Sequence, residues 1–205
     1  MALEGWKVER ISFKAARPMI ENLHYAHRDD QPCTIQWKHC FGLFKPDSDF
    51  TYWDQYELVG VMVYTLPSGP SAGRSYCPES PDKVLELRRL VCIDDTPKNA
   101  ESFFISRTLK WLKRNTDNVL ILSYADPVQG HAGTIYKASN FDYVGPSQGG
   151  TMLEVDGKLV HGRSLTINRP YAKVLQNRMK AGDPNVKIIK TEPKHLFSYR
   201  LRKKA

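Results

Sequence analysis

Apolar residues recur at two different periods over the first third of the chain, and the period separates one helix from the strands around it. Residues 14–27, KAARPMIENLHYAH, have a helical period. The apolar positions that share one face of this helix are Ala15, Met19, Ile20 and Leu23. Residues 40–44 and 57–66 are apolar runs joined by a polar segment, which predicts a β-hairpin. A short strand is predicted before the helix, over residues 8–12.

The centre of the chain alternates strands with a helix. Residues 84–93 are a strand candidate, residues 119–125 are a continuous apolar run of the buried-strand type, and residues 99–115 between them have a helical period. Four residues of this helix are predicted to point inward: Phe103, Phe104, Leu109 and Leu112. The preceding segment, residues 67–82, is rich in proline, serine and glycine, which predicts a long irregular loop with room for a function. Strand, helix and strand in this order predict a crossover in a mixed α/β sheet.

Turn-forming residues divide the remainder of the chain. A helix is predicted over residues 130–139 and a strand over residues 141–145. Residues 152–161 alternate around an Asp-Gly pair, which predicts a second hairpin. A helix opened by Pro170 follows. Two strands are predicted to close the fold, over residues 186–190 and 195–201.

Composition bounds the class of protein. The chain has 205 residues, of which 41% are apolar, and it can bury one sizeable core, so we predict a single domain over residues 1–205. No apolar run approaches the roughly 20 residues of a membrane helix, and the first ten residues show no signal segment. We therefore expect no membrane partner and a cytoplasmic location. The four cysteines have no regular spacing and are expected to be free thiols.

Charge is distributed unevenly along the chain. The net charge is +8, yet the part through Gly157 has 17 basic and 20 acidic side chains. From Lys158 to the end there are 13 basic and only two acidic side chains. A basic C-terminal region over residues 158–205 suits a polyanion such as nucleic acid. Its candidate DNA-binding residues are Arg163, Arg169, Lys173 and Arg178. The alternative is a solvated basic tail that only keeps the protein soluble.

The first turn of the central helix is a candidate phosphate site. Free backbone N–H groups and the positive end of the helix dipole lie there, and Ser102 adds a hydroxyl. Asn99 stands where the helix begins. The alternative is an ordinary loop in which Thr96 or Asn99 caps the helix. No glycine-rich phosphate-binding loop of a familiar type is present in the sequence.

The stretch that follows the strand 119–125 raises a second question. The strand ends at Asp126-Pro127, and the next helical segment carries Tyr136 five residues before Phe141. Asn140 between them is the usual substitute for glycine in the left-handed conformation that ends a helix. The pattern Tyr-x-x-x-[Gly/Asn]-Phe-x-x-x-Gly resembles the fourth-helix region of the GCN5-related acetyltransferase superfamily. That resemblance implies a mixed sheet flanked by helices, with an acyl-coenzyme A donor between two strands that splay apart.

The same resemblance implies a catalytic acid. In that superfamily a tyrosine at the position of Tyr136 often protonates the leaving thiolate. A phenol with a pKa near 10 is a suitable acid for a thiolate whose conjugate acid has a pKa of about 8.5. The alternative is a Tyr136 that only packs its ring and hydrogen-bonds outward.

Several short motifs in a fixed order narrow the resemblance. They are NLHY at 22–25, ELRRL at 86–90, Asn99-x-x-Ser102, ADP at 125–127 and GHxGTIY at 130–136. Together they resemble the phage Mom family, an acetyltransferase-like branch that modifies adenine at N6 in phage DNA. The product carries a carbamoylmethyl group and protects the DNA from host restriction. Residues 94–99 replace the usual glycine-rich pyrophosphate loop of the superfamily.

Membership of such a family would imply particular site residues. The catalytic candidates are Asp126, Tyr136, His24, Tyr25 and Arg88. The candidates for binding acetyl-CoA or a related acyl-CoA are Leu90, Val91, Cys92, Asn99, Ser102 and Tyr136. Structural alternatives exist for three of the residues: Asp126 could cap a helix that begins near Gly130, His24 could be a surface residue at a helix end, and Arg88 could form an ion pair with Glu86.

Other groups suggest further partners. Adenine N6 lies paired inside the duplex, so the base should be extruded, and the aromatic residues that could stack on it are Trp37, Tyr52, Trp53 and Tyr56. The alternative for each is core packing. A zinc site would need His24, His27, Cys33, His39 and Cys40, whose spacing matches no strong zinc pattern. An iron site at His24, Tyr25 and Asp126 is conceivable, and a homodimer is a further prediction.

Two other functions remain open on the sequence. The first is an ordinary N-acetyltransferase that acts on a protein or a small-molecule amine. The second is a nucleic-acid-binding protein without enzymatic activity, built on an acetyltransferase-like scaffold.

Overall fold

The computed structural model describes residues 3–24, 35–46, 56–69 and 71–202. These residues form two compact units. The first unit consists of Met1–Tyr124, Gly133–Val144 and Leu196–Ala205, and the second of Ala125–Ala132 and Gly145–His195. The second unit therefore begins before Lys158, where the charge changes sign, and the single domain predicted from the sequence stays a prediction.

The first unit is built on a seven-stranded mixed sheet. Its strands are β1 (Lys7–Arg10), β2 (Trp37–Pro46), β3 (Tyr56–Thr65), β4 (Val84–Cys92), β5 (Leu120–Ala125), β6 (Asp142–Pro146) and β10 (His195–Arg200). The strand order is β1-β2-β3-β4-β5-β10-β6, in which β1 to β4 are antiparallel neighbours and β4 and β5 are parallel. The predicted hairpin of β2 and β3 and the predicted crossover from β4 to β5 are both confirmed. The last strand, however, inserts between β5 and β6, an arrangement that local sequence does not predict.

The described residues of this unit form four helices. They are α1 (Phe13–Leu23), α2 (Ala72–Tyr76), α3 (Ala100–Asn115) and α4 (Thr134–Ala138). Within the described ranges, no helix combines the length and the apolar composition that a membrane crossing needs.

Both faces of the sheet are covered by helices. Helix α1 begins at Ser12, whose hydroxyl accepts from the N–H of Ala15, and ends at His24. Its buried residues Ala16 and Ile20 pack with residues of three strands. The strand residues of this cluster are Cys40, Val61, Val63 and Val91. Helix α3 meets the opposite face, where the Tyr64 hydroxyl lies 2.8 Å from the Thr108 hydroxyl. Three of the four predicted inward residues of α3 are buried, whereas Phe103 is only partly buried.

Two local predictions are wrong. Residues 67–82 are not wholly irregular, because they contain α2 and a 3₁₀ turn over Pro81–Lys83. Ala72 and Cys77 bury their side chains against the sheet, and this tertiary packing stabilises structure that the composition disfavours. The helix predicted over residues 130–139 is shorter and begins at Thr134, since Gly130 and Gly133 both have a φ of +74°. That conformation is incompatible with a continuous right-handed helix.

The second unit contains three strands and one long helix. The antiparallel sheet has the order β8-β7-β9, with β7 at Thr151–Val155, β8 at Lys158–His161 and β9 at Val186–Lys190. Helix α5 spans Pro170–Lys180 and opens with its proline, as predicted. The core of the unit packs the helix on the sheet: Leu153, Val155, Val186, Val160, Leu165, Leu175 and Met179. Asp156 and Gly157 both have positive φ, at 50° and 77°, which confirms the predicted Asp-Gly hairpin turn.

Candidate active site

The neighbouring parallel strands β4 and β5 separate at one end. Val84–Leu87 pair with Leu120–Ser123, and the pairing stops there although β4 continues to Cys92. The backbone of β4 from Arg88 to Cys92 is therefore open on the side that faces β5. Open backbone at the carboxyl end of parallel strands is where α/β sheets usually bind ligands.

A β-bulge marks the point where the two strands separate. Arg89 lies opposite Val63 and Leu87 opposite Tyr64, so Arg88 is an extra residue without a partner on β3. A bulge re-aims the side chain that it carries and is over-represented next to active sites. The bulge therefore determines where the Arg88 side chain points. The usual alternation of side chains between the two faces of a strand does not determine it.

A buried carboxylate beside the bulge holds the Arg88 guanidinium. Glu86 is only 6% exposed, and its Oε2 accepts from the backbone N–H and from the hydroxyl of Ser68, both at 2.7 Å. Arg88 Nη1 donates to the same hydroxyl and lies 3.8 Å from Glu86 Oε1. The pairing of Glu86 with Arg88, considered from the sequence as a structural alternative, is present. Among the described residues, Arg88 Nε is buried without a hydrogen-bond partner.

The phenol of Tyr124 lies close enough to Glu86 for the carboxylate to affect its pKa. Burial, the Glu86 carboxylate and the Tyr76 phenol together raise the pKa of Tyr124 to about 12. Tyr124 is the last residue of β5 within the first unit, one position beyond the final β4–β5 pair. The phenol is therefore protonated throughout the neutral range and can donate a hydrogen bond.

A groove lies at the start of α3. Its volume is about 390 Å³, and its walls are the segment from Cys92 to Asn99, the first turn of α3, and one side of α4. A second groove of about 500 Å³ continues along α3 past Lys110 and Lys113. Both grooves share Asn99, Ser102 and Ala138, so together they form an elongated channel within the first unit.

The first turn of α3 presents donors to this groove. Within the described ranges, the structure shows no acceptor for the backbone N–H groups of Glu101 and Ser102. Asn99 occupies the cap position with a φ of +73° but forms no side-chain cap bond, and the Thr96 hydroxyl donates to the Ile93 carbonyl instead. Neither predicted side-chain cap is present. The two free N–H groups suit a phosphate, whereas the acidic side chain of Glu101 opposes one.

The three predicted donor-binding residues of β4 differ in position. Val91 is buried in the cluster under α1, so only its backbone faces the opening. Leu90 is partly buried. Cys92 lines the groove, and burial together with the Glu101 carboxylate raises the pKa of its thiol to about 12. A thiol in this state is a poor nucleophile.

Tyr136 lies in the middle of α4 and is 8% exposed. Its ring packs against Phe141 and Phe197, with centroids 5.6 and 5.4 Å away. Gly133 before it approaches the same cluster so closely that a Cβ would lie 2.2 Å from the Phe197 ring. The ring position of Tyr136 is therefore fixed by aromatic packing, which does not exclude a role for its hydroxyl.

Asp126 belongs to the second unit. Its carboxylate lies 2.7 Å from Lys194 Nζ and accepts from the Val128 N–H at 3.1 Å. The proposed capping role is present, but the capped element is a 3₁₀ turn over Pro127–Gln129 and not a helix that begins near Gly130. The ion pair with Lys194 was not predicted.

The remaining candidates for metal binding are only partly described. His24 is the C-terminal cap of α1, and its N–H donates to the Ile20 carbonyl. The predictions for Tyr25, His27 and Cys33 lie outside the described residues. In the part of the chain that the structure describes, no group of three or more His, Cys, Asp and Glu side chains is placed to hold a metal ion. Cys40 is a buried free thiol.

Two of the four aromatic candidates can be located. Trp37 is exposed at the start of β2 and stacks on Phe13 at 6.3 Å. Tyr56 carries the Lys7 ammonium over its ring at 3.5 Å. The predictions for Tyr52 and Trp53 lie outside the described residues.

Among the predicted DNA-binding residues, Arg163, Arg169 and Lys173 are exposed in the second unit. Arg178 differs from these three residues, because its side chain is partly buried and forms ion pairs within the protein. It donates to both carboxylate oxygens of Asp156 at 2.7 and 2.8 Å and to Asp183 at 2.7 Å. These bonds raise the pKa of Arg178 and pair its charge with two carboxylates, while its role as a phosphate contact stays a prediction.

Sequence analysis missed Ser68 and Tyr124 as members of the site. Ser68 lies in a segment whose composition predicts only a loop, and its bond to Glu86 joins residues 18 positions apart. A usable signal was the charged Glu86 between the apolar residues Leu85 and Leu87 of the strand, because a buried carboxylate requires donors.

Comparisons with known proteins identify relatives in sequence and in structure. The model of the Mom protein family matches residues 5–205. The methylcarbamoylase mom of Escherichia phage Mu is 34% identical over 164 residues, which are 79% of this chain and 61% of that protein. The chain thus aligns with about three fifths of the length of this curated relative.

Solved acetyltransferases share the fold. Arabidopsis thaliana NAA60 in complex with acetyl-CoA superposes with a TM-score of 0.56 at 9% identity, covering 95% of this chain and 98% of that one. A Bacillus subtilis acetyltransferase in complex with CoA superposes with a TM-score of 0.50 at 10% identity, covering 95% and 98%. At these identities the likeness establishes an acetyltransferase fold, as the sequence predicted, and nothing about the substrate.

Proposed function

Because this chain belongs to the Mom protein family, we propose that it is a transferase that modifies adenine at N6 in phage DNA. The product would carry a carbamoylmethyl group and protect the DNA from host restriction, and the enzyme would act in the infected bacterial cytoplasm, where the DNA lies. The observation that carries the proposal is the opening between β4 and β5 in a chain that matches this family over residues 5–205.

An acyl-CoA or a related small acyl donor fits the first unit. The free N–H groups of Glu101 and Ser102 suit a phosphate, and Lys110 and Lys113 line the continuing groove where a second phosphate could lie. The open backbone of β4 offers donors and acceptors for the amide groups of the carrier arm. When bound, a thioester would supply a carbonyl carbon that is activated toward nucleophiles.

The residues of the chain would divide the chemistry among them. Arg88, held by Glu86 and Ser68, would stabilise negative charge on a carbonyl oxygen at the opening. Tyr136 would protonate the leaving group. Asp126 is the candidate that would accept the N6 proton, and His24 and Tyr25 are the further candidates for this role. Since Asp126 already pairs with Lys194, the base role requires this ion pair to open.

The iron site at His24, Tyr25 and Asp126 stays a prediction, because Tyr25 lies outside the described residues. We derive no step through it. A homodimer stays a prediction that a measurement of molar mass in solution would decide.

The substrate geometry makes two demands on the enzyme. The target amine lies inside the duplex, so the base must be extruded, and the exposed Trp37 is a candidate for stacking on it.

The second demand concerns the bond that forms at adenine N6. Direct acetyl transfer would leave an amide on N6, whereas a carbamoylmethyl group joins N6 through a saturated carbon. The proposed product therefore requires a further step or a donor other than acetyl-CoA.

Mass spectrometry of nucleosides tests the proposal. DNA from cells that express the chain is digested, and deoxyadenosine is examined for a mass increase of one carbamoylmethyl group. That product is the expected result. Unmodified DNA together with acetylated protein or amines would instead favour an ordinary N-acetyltransferase, which the fold also supports. Binding of DNA without any product would favour a non-enzymatic DNA-binding protein.

A further inference from the structure

The outward face of α5 is unusual for a helix that only meets water. The inward face packs Ala172, Leu175 and Met179 on the small sheet of the second unit. On the other side, Tyr171 is 55% exposed and Val174 is 59% exposed, three residues apart and therefore neighbours on the helix surface. Two large apolar side chains side by side on one helix are a feature of contact surfaces rather than of solvated ones.

The charge of this face has one sign. Helix α5 contains no aspartate or glutamate. The exposed cations on and beside it are Arg169, Lys173 and Lys180, and Asn177 is exposed among them. A solvated helix usually mixes both signs on its polar face. A face with cations, one amide and two apolar side chains but without acids is complementary to a polyanion.

Arg178 makes this face rigid. Its guanidinium joins Asp156 in the turn of the β7–β8 hairpin and Asp183 after the helix. Gln176 adds two bonds from the helix to the carbonyls of Ser164 and Ile167, at 3.1 and 3.2 Å. The C-terminal half of α5 is thus fixed at several points on the second unit. A rigid helix presents its outward side chains in a defined pattern.

We propose that α5 lies in the major groove of duplex DNA and reads the sequence around the modified adenine. The inference rests on the proposed function and adds an element of specificity to it. The major groove, about 12 Å wide, admits a helix. Asn177 has the chemistry to pair with an adenine edge, and Val174 and Tyr171 have apolar surface for a thymine methyl group. Arg169, Lys173 and Lys180 would contact the flanking phosphates.

The test uses the full chain and two kinds of variant. Asn177→Ala removes a predicted base contact, and Lys173→Gln removes a predicted phosphate contact. The matched controls are Ile188→Ala and Lys187→Gln, two exposed residues of β9 in the same unit. The readouts are the sequence context of modified adenines in cellular DNA and the salt dependence of binding to a labelled duplex.

The two variants should have different effects. Asn177→Ala should relax the sequence context, lowering discrimination at one base position by about 5- to 150-fold, which corresponds to one bidentate contact. Lys173→Gln should keep the context, weaken binding to all sequences and reduce the slope of log K against log salt by about one. Both controls should behave as the unaltered chain.

Two results would overturn the inference, and they are distinguishable. If the unaltered chain modifies DNA and Asn177→Ala keeps the same context and rate, α5 does not read the sequence, while the proposed function stands. If the unaltered chain neither binds nor modifies DNA, the proposed function fails and the inference fails with it.

Discussion

The sharpest test of the site concerns Glu86, a buried carboxylate that contacts two of its other members. Replacement by glutamine keeps the size of the side chain and one carbonyl oxygen but removes the charge. Two hydrogen bonds from Ser68 at 2.7 Å then change from charge-assisted to neutral, and Arg88 loses its carboxylate at 3.8 Å. Hydrogen bonds to charged groups contribute about 1.5–3 kcal/mol and neutral ones about 0.5–1.5 kcal/mol.

From these differences we expect Glu86→Gln to lower the free energy of unfolding by about 2–3 kcal/mol, summed over the two bonds. For a chain of this size, that corresponds to a fall in the melting temperature of about 4–12 °C. Circular dichroism during heating measures it. Glu57→Gln is the matched control, because Glu57 pairs with Lys45 at 2.9 Å on the same sheet but is largely exposed. A surface pair of this kind contributes about 0–1 kcal/mol.

Two further readouts separate positioning from simple loss of stability. Modification of DNA below the melting temperature should fall about 10- to 100-fold, because a small displacement of a substrate-positioning group costs up to about 10²-fold in rate. The pKa of Tyr124 should also fall from about 12, since the Glu86 carboxylate is the second contribution that raises it. The shift is measured by following the phenolate absorbance of Glu86→Gln as the pH rises. The same titration of Tyr124→Phe identifies the part of the absorbance that belongs to Tyr124. If Glu86→Gln matches Glu57→Gln in melting temperature and in modification of DNA, the argument for a positioned Arg88 is refuted.

Three other substitutions test the rest of the site. Tyr136→Phe keeps the packed ring and removes the proton, so modification should fall by about 10²–10⁴-fold if Tyr136 is the acid; unchanged activity in a folded variant would leave it a packing residue. Asp126→Asn should keep the cap of the 3₁₀ turn, because both residues cap well, and should cost only the ion pair with Lys194, about 0–1 kcal/mol, while DNA modification collapses if a base is needed; full activity would remove Asp126 from the mechanism. Gly133→Ala should lower the melting temperature, since its Cβ would lie 2.2 Å from the Phe197 ring at a φ of +74°; an unchanged melting temperature would show that the aromatic cluster can adjust.

Elements with a clear local period were predictable from the sequence. The β2–β3 hairpin, the crossover through α3 and the helix opened by Pro170 all follow from spacing and from turn residues within short windows. The Asp-Gly turn is the simplest case, because two adjacent residues adopt left-handed conformations that this pair tolerates.

Non-local pairing was not predictable. The strand at His195–Arg200 lies between β5 and β6, and nothing in its own residues specifies those neighbours. For the same reason the ion pairs of Arg178 were not predicted: its charge is visible in the sequence, but Asp156 and Asp183 meet it only after the chain folds. The β-bulge at Arg88 belongs to the same class, since a one-residue shift in register leaves no mark on the strand itself.

The proposed roles of Arg88 and Tyr136 depend differently on which carbon of the donor bonds to adenine N6. A positive group beside a carbonyl oxygen stabilises the negative charge that develops on that oxygen when N6 bonds the carbonyl carbon. If N6 instead displaces a group at the neighbouring saturated carbon, the charge goes to the leaving group, and the positive group serves mainly to hold and polarise the donor carbonyl. An acid that protonates a thiolate is useful only where a thiolate leaves. Loss of activity in Glu86→Gln together with survival in Tyr136→Phe would therefore favour a donor that is not a thioester. Loss in both would favour a donor from which a thiolate leaves.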